Sequence, residues 1–401
     1  MNKVEELLFG YGFRKEEIER IVNSYIISKF NREKLAYNIE KVYDFFTGLG
    51  YDITSIKKMV IYYPSLIGYN IDTLNEKIKY FLSLGYTLDD IKYMGTLTPQ
   101  VFSYSTEYIN ARIEFLISLG FKRSEVLKMI RKMPSMLGYS EDSIKAKIDF
   151  LIGLGYKKED VIRLIKGAPS LCAFTKEYIM EKIDFLSFIG FTREMIISVT
   201  KKLPAIYNYK NENILDKIEK LKELGFSIED IIKIIMKLPA ILCYSMNNIN
   251  EKIKGMLELG FTYEEIMSMS VNFPAIYSYN IESMKNKIND LMELGYTRKE
   301  VLAMIISLPS IFGYDTNNIK TKLEFYASIG LGVIMKKNAK LLMQSLDLTI
   351  ARISYLNKRG IVINDDNYRK LFECNNKFLH TYGISNEEVL RLYFLEDKIN
   401  V

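Results

Sequence analysis

Nine basic residues recur along this chain at a fixed interval. Lys77, Arg112, Lys147, Lys182, Lys217, Lys252, Lys287 and Lys322 follow one another every 35 residues, and Arg352 closes the series after 30. A row of cations on one surface is suited to holding a polyanion. A nucleic-acid duplex presents one phosphate charge about every 1.7 Å, so an ordered row always has a phosphate within reach. At roughly 10 Å per stacked helix, nine cations would form a track about 80–90 Å long. The competing reading is a snorkelling side chain, whose stem seals the joint between units while its head reaches water or a carboxylate. A second set, Arg131, Lys132, Lys166, Lys201, Lys202 and Lys237 with Lys336 and Lys337, gathers where a second helix of each unit should end. Cations there also suit the negative end of a helix dipole.

Residues for bond-making chemistry are scarce. His380 is the only histidine. Cys172, Cys243 and Cys374 have no short spacing, and read as small hydrophobes in a reducing compartment rather than as a metal or redox set. No glycine-rich loop carries the Lys-Ser/Thr pair that cradles phosphates, and the periodic acids sit where helix caps are needed. The expectation is a binding protein that is not an enzyme, with no cofactor and no metal.

The elements that position the cations are set by two rulers. The eight prolines, Pro64, Pro99, Pro134, Pro169, Pro204, Pro239, Pro274 and Pro309, are spaced by 35, and the glycines from Gly50 to Gly330 keep the same interval. Such a period means stacked supersecondary units. After each proline, apolar residues such as Ile214, Ile218, Leu221 and Leu224 recur at helical spacing and predict a first helix, A. Asn70, Ser105, Ser140, Thr175, Ser245, Asn280 and Asp315 precede it as capping residues, and the periodic glycine ends it in a left-handed conformation. Thr87, Thr192, Ser227, Thr262 and Thr297 then open a second helix, B, with Asp90, Asp230, Glu265 or Glu300 three residues on as capping boxes in four of the five. The next proline stops helix B. The short piece after it, such as PAIYNY, suits one 3₁₀ turn. The column cation falls within or beside the apolar stripe of helix A, at about 100° per residue.

This predicts an all-α protein, an α-solenoid of 35-residue repeats in one continuous domain. Residues 1–49 read as a degenerate N-terminal capping unit, 50–338 as eight regular repeats, and 339–401 as a shortened repeat and a C-terminal cap, with Ala339 in the proline slot. No apolar run approaches the roughly 18 residues of a membrane span. The N-terminus has neither a signal-peptide core nor the acid-poor look of a transit peptide, so the expectation is a cytoplasmic protein, or a mitochondrial or plastid one if the chain is a processed form. Net charge is +6, which permits nucleic-acid binding, and the 13 Arg are outnumbered by 42 Lys, which favours phosphate contact over base reading.

The phrase LPAILCYSMNNINEKIKGMLELGFTYEEI, with its proline, the tyrosine five residues on, a basic-Ile pair and Leu-Gly-Phe, resembles the mitochondrial transcription termination factor (mTERF) family. The resemblance runs in register over about residues 50–360. It implies units of two α-helices and a 3₁₀ helix in a left-handed superhelix, whose basic concave face holds double-stranded DNA, or structured RNA in some members. It implies roles in transcription termination or initiation, genome maintenance or ribosome assembly. Base-reading residues lie outside the repeat motif and are not carried over. The pentatricopeptide family shares the period, but the proline-to-tyrosine and Leu-Gly-aromatic spacings argue against it. A monomer that binds duplex DNA through the column is the leading reading, with a salt slope of roughly minus eight for nine phosphate contacts. Structured, for instance ribosomal, RNA and a protein-binding scaffold are the alternatives.

Overall fold

The computed structural model describes residues 3–24 and 26–399; the side chains of Lys336, Lys337, Ala339, Lys340 and residues 396–399 lie outside the described ones. Among the described residues every regular element is helical. The repeat at Pro134 shows the unit: a 3₁₀ turn Pro134–Gly138, helix A at Glu141–Gly153 and helix B at Lys158–Gly167. Its neighbours keep the plan, with A helices at Ile71–Ser83, Thr106–Ser118 and Lys176–Ile189. B helices occupy Leu88–Leu97, Arg123–Lys132 and Arg193–Lys202.

Local chemistry accounts for these boundaries. The side chains of Asn70, Ser105, Ser140, Thr175, Ser245, Asn280 and Asp315 each accept a first-turn amide of helix A. Gly120 and Gly190 end their A helices at φ 109° and 113°, where a Cβ would be strained. Reciprocal capping boxes form at Thr87, Thr262 and Thr297. At Ser227 the expected box is only half made. Its hydroxyl accepts the Asp230 amide, and the Asp230 carboxylate is held mainly by the Ser227 hydroxyl and Lys233.

Contacts divide the chain into two compact units, Met1–Asn211 and Glu212–Val401. In the first, the opening segment holds helices Lys3–Gly10 and Lys15–Val22, a 3₁₀ turn Ile27–Lys29 and a long A-type helix, Arg32–Gly48. It therefore carries more of the repeat plan than a simple cap. In the second, the B helix before Ala339 is cut to Gly332–Lys337, and the 3₁₀ turn Ala339–Met343 keeps its place without proline. The cores are built from the periodic residues: Ile144, Ile148 and Leu151 are buried in one repeat, Ile214, Ile218 and Leu221 in another.

Candidate nucleic-acid interface

The nine-residue column is not an open track. Lys77, Lys147, Lys182, Lys217 and Lys322 are buried, as are Arg112 and Arg352, while Lys252 and Lys287 are half-buried. Each lysine ends on a backbone carbonyl of the following repeat. In the first unit Lys77 donates to the carbonyl of Tyr104, Lys147 to that of Phe174, and Lys182 to that of Tyr209 and to the side chain of Asn211. In the second unit Lys217 donates to Tyr244, Lys252 to Tyr279 at 2.5 Å, Lys287 to Tyr314 at 2.6 Å and Lys322 to Leu342 at 2.7 Å. The carbonyls of Tyr209, Tyr244, Tyr279 and Tyr314 belong to the extended residue between the 3₁₀ turn and the next A-helix cap, where no helical donor serves them, and that of Leu342 belongs to the 3₁₀ turn Ala339–Met343 itself. Burial holds the ammonium groups of Lys77, Lys147, Lys217 and Lys322 below the ordinary lysine range. The expectation of a phosphate ladder is corrected here. The ammonium groups lie between repeats and satisfy backbone acceptors that would otherwise be orphaned.

Arg112 is the rung that differs. Its guanidinium lies against the rings of Tyr108 and Phe115 and 3.8 Å from Glu141, and its Nη2 is buried with no hydrogen-bond partner among the described residues. The fork is planar and longer than an ammonium arm, so it does not reproduce the single bond made by lysine. Arg112→Lys is expected to donate to the carbonyl of Tyr139 and to raise unfolding stability by about 1 kcal/mol, read as a higher urea midpoint at constant slope.

The helix B cations behave differently. Lys128, Arg131, Lys132, Arg163, Lys166, Lys201 and Lys202 are all exposed in the first unit. Two grooves run between them. One, of about 590 Å³, is lined by Tyr93, Glu125, Lys128, Arg131, Lys132 and Lys166. The other, of about 530 Å³, is lined by Arg163, Glu194, Ile197, Ser198, Lys201 and Lys202. The face also carries three ion pairs of one design, Arg131 to Asp90 at 2.5 Å, Lys166 to Glu125 at 2.9 Å and Lys201 to Asp160 at 2.8 Å. Each joins the last turn of one B helix to the first turn of the B helix before it. The Lys166 bond is the main reason the Glu125 carboxyl titrates below its ordinary range. Lys128 and Lys132 have no carboxylate partner among the described residues.

Of the residues expected from sequence, Arg131, Lys132, Lys166, Lys201 and Lys202 thus lie on one exposed face. Lys237, in the second unit, instead donates to the carbonyls of Val271 and Asn272 at 2.9 and 3.0 Å, so it closes the end of the next B helix. Lys128 and Arg163 were not among the expected residues. They stand three before Arg131 and Lys166, on the same exposed side of a helix, which was the available signal.

The family model described as mTERF matches residues 1–153, 153–293 and 286–374, nearly the whole chain. The chain belongs to the mTERF family. A search of curated proteins finds no match for it. Membership in mTERF suggests nucleic-acid binding and a transcription-related role. Among the described residues of this mTERF protein no helix is long and apolar enough to cross a membrane, and no three His, Cys, Asp or Glu side chains cluster as a metal set.

Proposed function

We propose that this mTERF protein binds double-stranded DNA by phosphate contacts on the exposed B-helix face of residues 123–202, and regulates transcription by occupying its target, without catalysing a reaction. The observation that supports this reading is the grouping of Lys128, Arg131, Lys132, Arg163, Lys166, Lys201 and Lys202 around two open grooves in one unit. Lysine predominates there, and an ammonium meets phosphate as a point charge with little preference among base pairs. Binding is therefore expected to be weakly sequence-selective and strongly salt-dependent.

Fluorescence anisotropy with a duplex over a range of salt tests it. Lys128→Gln with Lys132→Gln is expected to flatten the slope of log affinity against log salt by about 1.8, two contacts at about 0.9 each. Absence of duplex binding by the wild type at low salt rejects the proposal. A structured RNA hairpin assayed alongside decides between the two nucleic acids, since phosphate contact alone serves both.

A further inference from the structure

The ion pairs on the B face recur without a gap in three successive joints and then stop. Asp90, Glu125 and Asp160 all stand at the third position of their B helices, and Arg131, Lys166 and Lys201 all stand 41 residues later. At the next equivalent positions the chain carries Met236, Val271 and Ile306, and the series ends. The carboxylates are withdrawn into the joints: the side chains of Asp90 and Asp160 are 15% and 9% exposed, against 57% and 38% for their partners Arg131 and Lys201. Glu125 also accepts the backbone amide of Lys122 at 3.0 Å, so its position is fixed from two sides.

We infer that Asp90, Glu125 and Asp160 are built-in competitors for the phosphate-binding cations, and that they set how tightly and at what salt concentration the B face holds a polyanion. This rests on the reading of that face as the binding surface. A phosphate approaching Arg131, Lys166 or Lys201 meets a cation already in contact with a carboxylate, so its attraction is offset by the repulsion of that acid or by the ion pair it must loosen. At Lys128 and Lys132 it gains the whole contact. Two of the groove's cations therefore carry the binding, while the paired ones are held in reserve and keep adjacent B helices in register. The same face without the three carboxylates would present a denser positive field and bind indiscriminately.

The triple variant Asp90→Asn, Glu125→Gln, Asp160→Asn keeps the side-chain shapes and the cap oxygens while removing the competing charge. It is expected to bind duplex DNA at least about tenfold tighter at low salt, with a slope steeper by up to about 2.7. Its affinity should then fall about 40-fold further than the wild type's between about 50 and 200 mM salt. A control that changes net charge equally, Glu229→Gln, Glu264→Gln, Glu293→Gln, alters exposed acids of the second unit and should move affinity far less. Arg131→Gln, Lys166→Gln, Lys201→Gln tests the converse and should change the wild-type slope by less than one. Elution from immobilised heparin, with helicity checked by circular dichroism, reads the same competition on a sulfated polyanion. Later elution of the carboxylate variant than of the control supports the inference. Equal or earlier elution, or a converse variant that flattens the slope by about 2.7, overturns it. A wild type that elutes normally from heparin yet ignores the duplex rejects the DNA reading while leaving the competition measured.

Discussion

Arg352→Met is expected to cost about 3–5 kcal/mol of stability and to loosen the C-terminal helices ahead of the remainder of their unit. The guanidinium is fully buried. It donates from Nη1 to the carbonyls of Leu371 and Glu373 at 2.7 and 2.8 Å, and from Nη2 to Asn386 Oδ1 at 2.6 Å. Its carbon centre sits 4.0 Å from the centroid of the Phe378 ring. One side chain on the helix Leu346–Lys358 thereby ties down the turn Tyr368–Phe372 and the helices Asn375–Tyr382 and Asn386–Ile399. Methionine fills the space but leaves the Glu373 carbonyl and the Asn386 amide oxygen without their donor, each a desolvated acceptor, while the Leu371 carbonyl keeps only the Gln344 amide at 2.8 Å. Hydrogen exchange is the suitable measurement: amides of residues 375–393 should exchange faster while those of Met246–Glu258 keep their protection. Arg352→Lys should recover part of the loss, since one ammonium can serve Leu371 as Lys322 serves Leu342, but cannot also fork to Asn386. Uniform exchange across both segments would show that Arg352 does not anchor this end.

The repeat plan was legible because its signals are local. A cap needs its Ser, Thr, Asn or Asp within three residues of the amide it serves, a left-handed terminus needs glycine, and proline stops a helix at its own position. All three can be read from one unit. The role of the column could not be, because its acceptor is a backbone carbonyl 27 residues on, and a carbonyl has no letter in the sequence. The helical wheel placed Lys147 at the edge of the apolar stripe, which is equally compatible with a head in water and with a head in the joint. Which applies depends on how the next unit stacks. The B-face ion pairs left a clearer trace. An acid at the third helix B position and a cation 41 residues later co-occur at Asp90 and Arg131, Glu125 and Lys166, and Asp160 and Lys201, and the coincidence lapses at Met195 and Met236, where both partners are replaced. Treating the cations alone as helix-dipole partners hid the carboxylates opposite them.

The column makes a second large prediction, and its outcome separates stability from binding. Lys147→Met with Lys182→Met should lower the unfolding free energy by about 3–6 kcal/mol, because each removes a buried charged donor worth about 1.5–3 kcal/mol. The two rungs sit in successive repeats and donate to different carbonyls, so their effects should nearly add. The loss should be nearly independent of salt, since the acceptors are carbonyls, amide dipoles within the joint rather than mobile charges at the surface. Met keeps the length of the stem and its packing against the neighbouring A helix, which confines the change to the missing donor. Below the unfolding transition the same variant should bind a duplex with an unaltered salt slope, whereas Lys128→Gln with Lys132→Gln should flatten the slope and leave the urea midpoint in place. A column variant that flattened the slope by about 1.8 at unchanged stability would return these lysines to the phosphate contact and remove the argument that burial has committed them to the joint.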